Sequence, residues 1–178
     1  LAEQLGITDE MQLHLNEGHT AFAGFGLAKR QGLEQVRGRC LFTTHTPVSA
    51  GHDRFDWDMV AGICGPQLTE ELKSLVPGER LNMSHLAAAH ARAMNGVSVT
   101  NAQVAQDLFP GRDLEAVTNG VHLSTWCLPP MARLFDDYLS GWRHDQSRLA
   151  GATRLPDDAL GRARASCRAE LVQFVNAQ

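Results

Sequence analysis

The sequence has no CxxC pair: its cysteines, Cys40, Cys64, Cys127 and Cys167, stand far apart. Such spacing excludes a zinc ribbon or a disulfide frame and reads as reduced, mostly buried thiols. An HExxH pair is missing too, and His85 and His90, five residues apart, fall off a common helix face, so no metal is expected. No apolar stretch approaches the roughly 18 residues of a membrane span, and the first residues lack the basic and apolar parts of a secretory leader. No long run of one charge sign occurs and the formal net charge is −4, which makes nucleic acid an unexpected partner. A glycine-rich phosphate cradle, an internal repeat and a low-complexity segment are all lacking. These absences leave an ordinary globular chain with no membrane partner, expected in the cytoplasm. Its start at Leu1 rather than Met, and a helical pattern running to Gln178 without a stop signal, read as a piece of something longer.

What is present alternates between two periods. Residues 11–16 (MQLHLN) read as a strand that turns directly into a helical pattern ending at Gly32. Residues 38–47 (GRCLFTTHTP) repeat that opening, with strand formers at 40–44 and Pro47 ending the ladder because it has no N–H to give. A polar loop with a glycine hinge is expected over 48–55 and helices over 56–64 and 69–76, the latter closed by Pro77 and Gly78. A small-residue helix is expected over 82–96, a buried strand over 96–101, a helix over 102–111, and a strand carrying a turn over 115–123. From Pro129 onward the pattern is helical, broken by a polar stretch over 143–158. Strands alternating with helices predict an α/β fold with a parallel sheet between helices, in which ligands bind at the strand ends.

Three polar clusters fall at those ends: Glu17, Gly18 and His19; Thr44, His45 and Thr46; Thr118, Asn119 and Gly120. Each has two readings. Glu17 is either an acid favoured by a helix N-terminus, with His19 filling the first turn, or half of a carboxylate–imidazole pair converging on a polar ligand, with Gly18 letting the backbone come close. His45 is either a satisfied sheet-edge histidine or a ligand contact on a loop aimed by Pro47. Asn119 and Gly120 form either a tight turn or an amide that grips a hydroxyl beside a glycine that gives clearance. Together the clusters supply amide, hydroxyl, carboxylate and imidazole groups, the chemistry of a site for polyhydroxylated ligands such as sugars.

The segments LNEGHTAF, LFTTHTPVSAGHDRF, LNMSHLAAAHARAMNGVS, VTNGVHLSTW and LPDDALGRARASCRAELVQFV follow one another in the order and with gaps comparable to those of bacterial α-glucan phosphorylases, the glycogen and maltodextrin phosphorylase family, which the chain resembles over nearly its whole length. The resemblance implies a two-domain glycosyltransferase-like (GT-B) fold whose cleft lies between doubly wound α/β domains. Residues 1–119 would be the later part of the N-terminal glucan-binding domain, and residues 120–178 the crossover and first helices of the C-terminal cofactor domain. The implied reaction is phosphorolysis of α-1,4-glucan by inorganic phosphate, releasing glucose 1-phosphate.

By the same resemblance His45 and Asn119 are catalytic residues facing the transferred glucosyl unit, while Glu17, His19, Thr44 and Gly120 bind substrate. Pyridoxal phosphate is the implied cofactor, held by a C-terminal part with no counterpart in these residues, so this chain alone is expected to be inactive. A homo-oligomer is compatible with the resemblance. The chain departs from the family after NGVS, where a basic residue, a histidine and an acid are replaced by Val99, Asn101 and Gln103. Two alternatives stand beside this reading: part of a nucleotide-sugar glucan synthase, and a non-catalytic glucan-binding remnant.

Overall fold

The computed structural model describes residues 11–177; Leu1 and Gln178, on which the reading of the chain ends rests, lie outside them. The chain divides into two compact units, Leu1–Asn119 and Gly120–Gln178.

The first unit is mixed α/β. Strand β1 (Leu13–Asn16) leads through a one-turn 3-10 helix (Gly18–Thr20) into α1 (Ala21–Gln31), which stops where Gly32 takes φ +91°. That backbone conformation suits glycine and ends the helix as the sequence predicts. A short α2 (Leu33–Arg37) precedes β2 (Cys40–Thr44), whose bounds match the strand formers CLFTT. Strands β5 (Ala93–Gly96) and β6 (Leu114–Ala116) complete a four-stranded sheet in the order β1-β2-β5-β6, every pair parallel. All four carboxyl ends therefore open on one edge.

Leu15, Phe42 and Met94 lie in register on one face of the sheet. They are buried in a core with Ala21 and Phe25 of α1, Leu72 of α4 (Pro66–Leu75) and Leu86 and Ala87 of α5 (Met83–His90). The alternate positions carry polar groups: the His14 ring nitrogen lies 2.7 Å from the Thr43 hydroxyl, which donates to Asn95 Oδ1 at 2.7 Å. Period-2 alternation thus separates an apolar face from a polar one.

Several expected boundaries move. The loop expected over 48–55 ends in β3 (Arg54–Asp56), antiparallel to β4 (Arg80–Asn82), with α3 (Trp57–Cys64) between them. The alanine-rich helix expected to reach residue 96 stops at His90, because the Arg92 N–H donates to Cys40 O and the next residues join the sheet. Parallel pairing overrides the helical preference of alanine there. The strand expected over 96–101 is instead the end of β5 and the start of α6 (Val99–Ala105), since the Ser98 hydroxyl accepts from the Asn101 N–H and caps a helix. Of the last expected strand, 115–123, only Glu115 and Ala116 pair with the sheet, in a β6 that begins one residue earlier at Leu114.

The second unit is helical: α7 (Leu123–Trp126), α8 (Pro129–Tyr138), a 3-10 stretch (Gln146–Arg154) and α9 (Asp157–Asn176). Leu134, Leu155, Ala159 and Ala163 form its core. Trp142 is buried beside Phe135, its indole N–H donating to Asp136 at 2.9 Å. All four cysteines are free thiols; Cys40 is buried, whereas Cys64, Cys127 and Cys167 are half-buried. Burial pushes the Cys40 thiol up to about 11.

Candidate functional site

Parallel strands carry the polar clusters of the first unit to the same edge. Glu17 directly follows β1, His45 directly follows β2, Val97 and Ser98 join β5 to α6, and Asn119 lies three residues past β6. Glu17 has φ +74° and ψ 164°, and among the described residues it is the one non-glycine with positive φ. A side chain in that region costs roughly 1–3 kcal/mol and persists where surrounding bonds demand it.

The demand is visible. Glu17 Oε2 accepts from the His45 N–H at 2.7 Å and from the Thr46 hydroxyl at 3.1 Å, while Oε1 accepts from the Gly18 N–H at 3.1 Å. The carboxylate therefore ties the loop after β1 to the loop after β2. The sequence alone leaves this carboxylate free for a ligand. In the structure three internal donors reach it, and through them it joins the two loops.

His45 is exposed, yet it is fixed on three sides. Its N–H meets Glu17, its carbonyl accepts from Asn101 Nδ2 at 3.1 Å, and its Nε2–H donates to Asn16 Oδ1 at 2.7 Å. The loop is also braced from inside: buried His52 donates through Nε2 to Thr46 O at 3.2 Å, and its ring lies 5.7 Å from that of Phe109. A Cβ on Gly51 would stand 2.6 Å from Thr46 Cγ2, so a larger residue there would push the Thr46 side chain aside. An exposed imidazole on a fully braced loop is pre-organised for contact.

The remaining expected residues are distributed as follows. Asn119 is exposed, and it is its backbone N–H, donating to Val97 O at 3.0 Å, that anchors it, leaving the amide side chain out of that bond. His19 is exposed on the 3-10 turn. Thr44 is fully buried, its hydroxyl turned towards the Thr46 backbone at 3.4 and 3.5 Å, so it shapes the loop from beneath instead of facing the edge. Gly18 makes its close approach to α5 rather than to open space: a Cβ there would come within 2.7 Å of the Ser84 hydroxyl and 2.9 Å of the Ser84 nitrogen. Gly120 belongs to the second unit, and a Cβ added to it would meet nothing within 4 Å, so it presses on no wall.

Asn16 and Asn101 lie outside the three polar clusters of the sequence, yet both bond to His45. Asn16 precedes Glu17 in the same LNEGH run, so adjacency is its signal. Asn101 stands out only as a departure from the family pattern. Among the described residues no group of three or more His, Cys, Asp or Glu is placed to hold a metal ion. No described helix is long and apolar enough to cross a membrane.

No model of a known protein family matches the chain. It is 33% identical to a maltodextrin phosphorylase of Thermococcus litoralis over 98% of its own length and 24% of that protein. It is 33% identical to a glycogen phosphorylase of Mycobacterium tuberculosis, over 72% of this chain and 19% of that one. A glycogen phosphorylase of Aquifex aeolicus is 29% identical over 90% of this chain and 27% of its own. The chain thus spans about a quarter of the length of the curated relatives it matches. Over that span, it is a homologue of the glycogen and maltodextrin phosphorylases.

Proposed function

We propose that these residues are the acceptor-side and ring-facing part of an α-1,4-glucan phosphorylase of GT-B type, a glycosyltransferase of carbohydrate metabolism. In this reading Leu1–Asn119 is the later part of the glucan-binding domain and Gly120–Gln178 opens the cofactor domain. The observation that carries the proposal is His45, open to solvent while its N–H and imidazole are held from the end of β1 and its carbonyl from the first turn of α6. A transferred glucosyl unit becomes oxocarbenium-like, and groups that need no rearrangement as charge develops contribute most to its stabilisation.

His45 lines the ring and the Asn119 amide takes a sugar hydroxyl. His19 contacts the acceptor side of the glucan, and Glu17 keeps the His45 loop in place. Thr44 contributes through the shape of its loop, and Gly120, where an added Cβ would meet nothing within 4 Å, leaves clearance for the sugar. Inorganic phosphate is the second substrate, and the setting is cytoplasmic.

Pyridoxal phosphate does not fit the residues present. The chain's two lysines, Lys29 and Lys73, are paired on the surface with Glu71 at 2.6 Å and Glu70 at 2.8 Å. The cofactor's lysine would come from the rest of a protein of the relatives' length.

The test uses full-length protein loaded with pyridoxal phosphate, given maltodextrin and phosphate. Release of glucose 1-phosphate is the expected result; none, with glucan made from a nucleotide sugar instead, sinks the reading. Asn119→Ala should lower kcat about 10–100-fold with little change in KM, the mark of a contact that matters mainly in the transition state.

A further inference from the structure

We infer that Asn101 is a positioning residue that couples the His45 loop to the Asn119 loop. The inference rests on the proposed function for its catalytic consequence, though not for its geometry. Asn101 sits in the first turn of α6, half-buried, where the resemblance leads one to expect histidine. Its side chain uses both ends. Nδ2 donates to His45 O at 3.1 Å and Oδ1 accepts from the Val97 N–H at 3.1 Å.

Val97 in turn accepts, through its carbonyl, the Asn119 N–H at 3.0 Å. One amide therefore sits between the loop after β2 and the turn after β5, and that turn holds the loop after β6. From Glu17 the chain of bonds runs through His45, Asn101 and Val97 to Asn119, spanning all four strand ends.

The local sequence is built around this amide. A Cβ on Gly96 would lie 2.5 Å from Asn101 Oδ1 and 2.8 Å from the Ala102 backbone, so glycine at the end of β5 is what admits the side chain. The Ser98 hydroxyl, accepting the Asn101 N–H at 3.1 Å, fixes the residue at the helix start. Asparagine has a donor and an acceptor on one rigid planar group. Aspartate keeps the acceptor and loses the donor; alanine loses both. At this departure from the family pattern the chain therefore carries a side chain whose donor and acceptor are both engaged.

Two measurements separate the inference from the function it serves. Amide hydrogen exchange on the 178-residue chain should show the Val97 and Asn119 amides exchanging about tenfold faster in Asn101→Ala. In Asn101→Asp the Val97 amide should stay protected. In the full-length, cofactor-loaded protein both variants should lose about tenfold in kcat with maltodextrin KM within about twofold, and Asn101→His should recover more activity than Asn101→Ala.

Unchanged exchange at Val97 and Asn119 in Asn101→Ala overturns the coupling. Wild-type kcat in both variants overturns its catalytic consequence. If wild-type protein itself releases no glucose 1-phosphate, the phosphorylase reading fails while the exchange result still decides the coupling.

Discussion

Glu17 shows how a single residue is set by competing demands. Its backbone occupies a region in which glycine is at ease and any side chain is strained, yet its carboxylate accepts three hydrogen bonds that join two loops. Bonds to a charged acceptor contribute roughly 1.5–3 kcal/mol each, enough to outweigh the strain. Alanine would keep the strain and lose the bonds, whereas glycine would lose both. Glu17→Gly should therefore be more stable than Glu17→Ala by about 1 kcal/mol, after allowing for the greater freedom of glycine in the unfolded chain. Urea denaturation of the two variants decides this; a less stable glycine variant would show that the backbone at residue 17 is not strained.

At the scale of elements, α5 is the pivot of the first unit, and its histidines tie stability to pH. Burial is the main reason that His85 and His90 both titrate below the ordinary imidazole value of 6.5. Hydrogen bonds to Leu108 and Leu86 oppose this shift, while nearby His52 and Arg54 for His85, and Arg37 for His90, add to it. Their folded-state values are depressed, so below about pH 6.5 the unfolded chain binds protons that the folded one resists. Stability should fall as pH drops from 6.5, with no contribution from these groups above it. His90→Phe should flatten that slope in denaturation midpoints measured between about pH 7 and pH 5; an unaltered slope would mean that His90 takes up its proton without cost.

The same element also shows what is legible in the sequence. The bounds of β2 are legible to the residue because CLFTT has glycine shortly before it and proline soon after. The glycine stop of α1 is equally plain. The end of α5 is not, because its alanines continue a helical preference through residues that the sheet claims by long-range pairing with β2. The polar clusters are legible as clusters, and the parallel topology explains why they share an edge. Which way each side chain turns is not: a buried threonine and a loop-tying carboxylate look, in sequence, the same as ligand contacts.

For the molecule as a whole, the relevant quantity is how much apolar surface these residues leave uncovered. Leu171, Val172, Phe174 and Val175 near the end of α9 are 51–65% exposed, and their spacing places them along neighbouring turns of one helix. A contiguous apolar stripe of this kind is a site of association in a soluble protein. The chain spans about a quarter of its relatives' length, and in a protein of that length we expect further chain to cover the stripe. Alone, the 178-residue chain should self-associate at about 100 μM, the range in which exposed apolar surface drives aggregation. Replacing Leu171 and Val175 with Glu and Phe174 with Lys should keep it monomeric by light scattering, while the amide exchange of Val97 in the first unit stays as in wild type. Were the wild-type chain monomeric at that concentration, the stripe would be too weakly apolar to require a cover, and the idea that α9 packs against further chain would lose its physical basis.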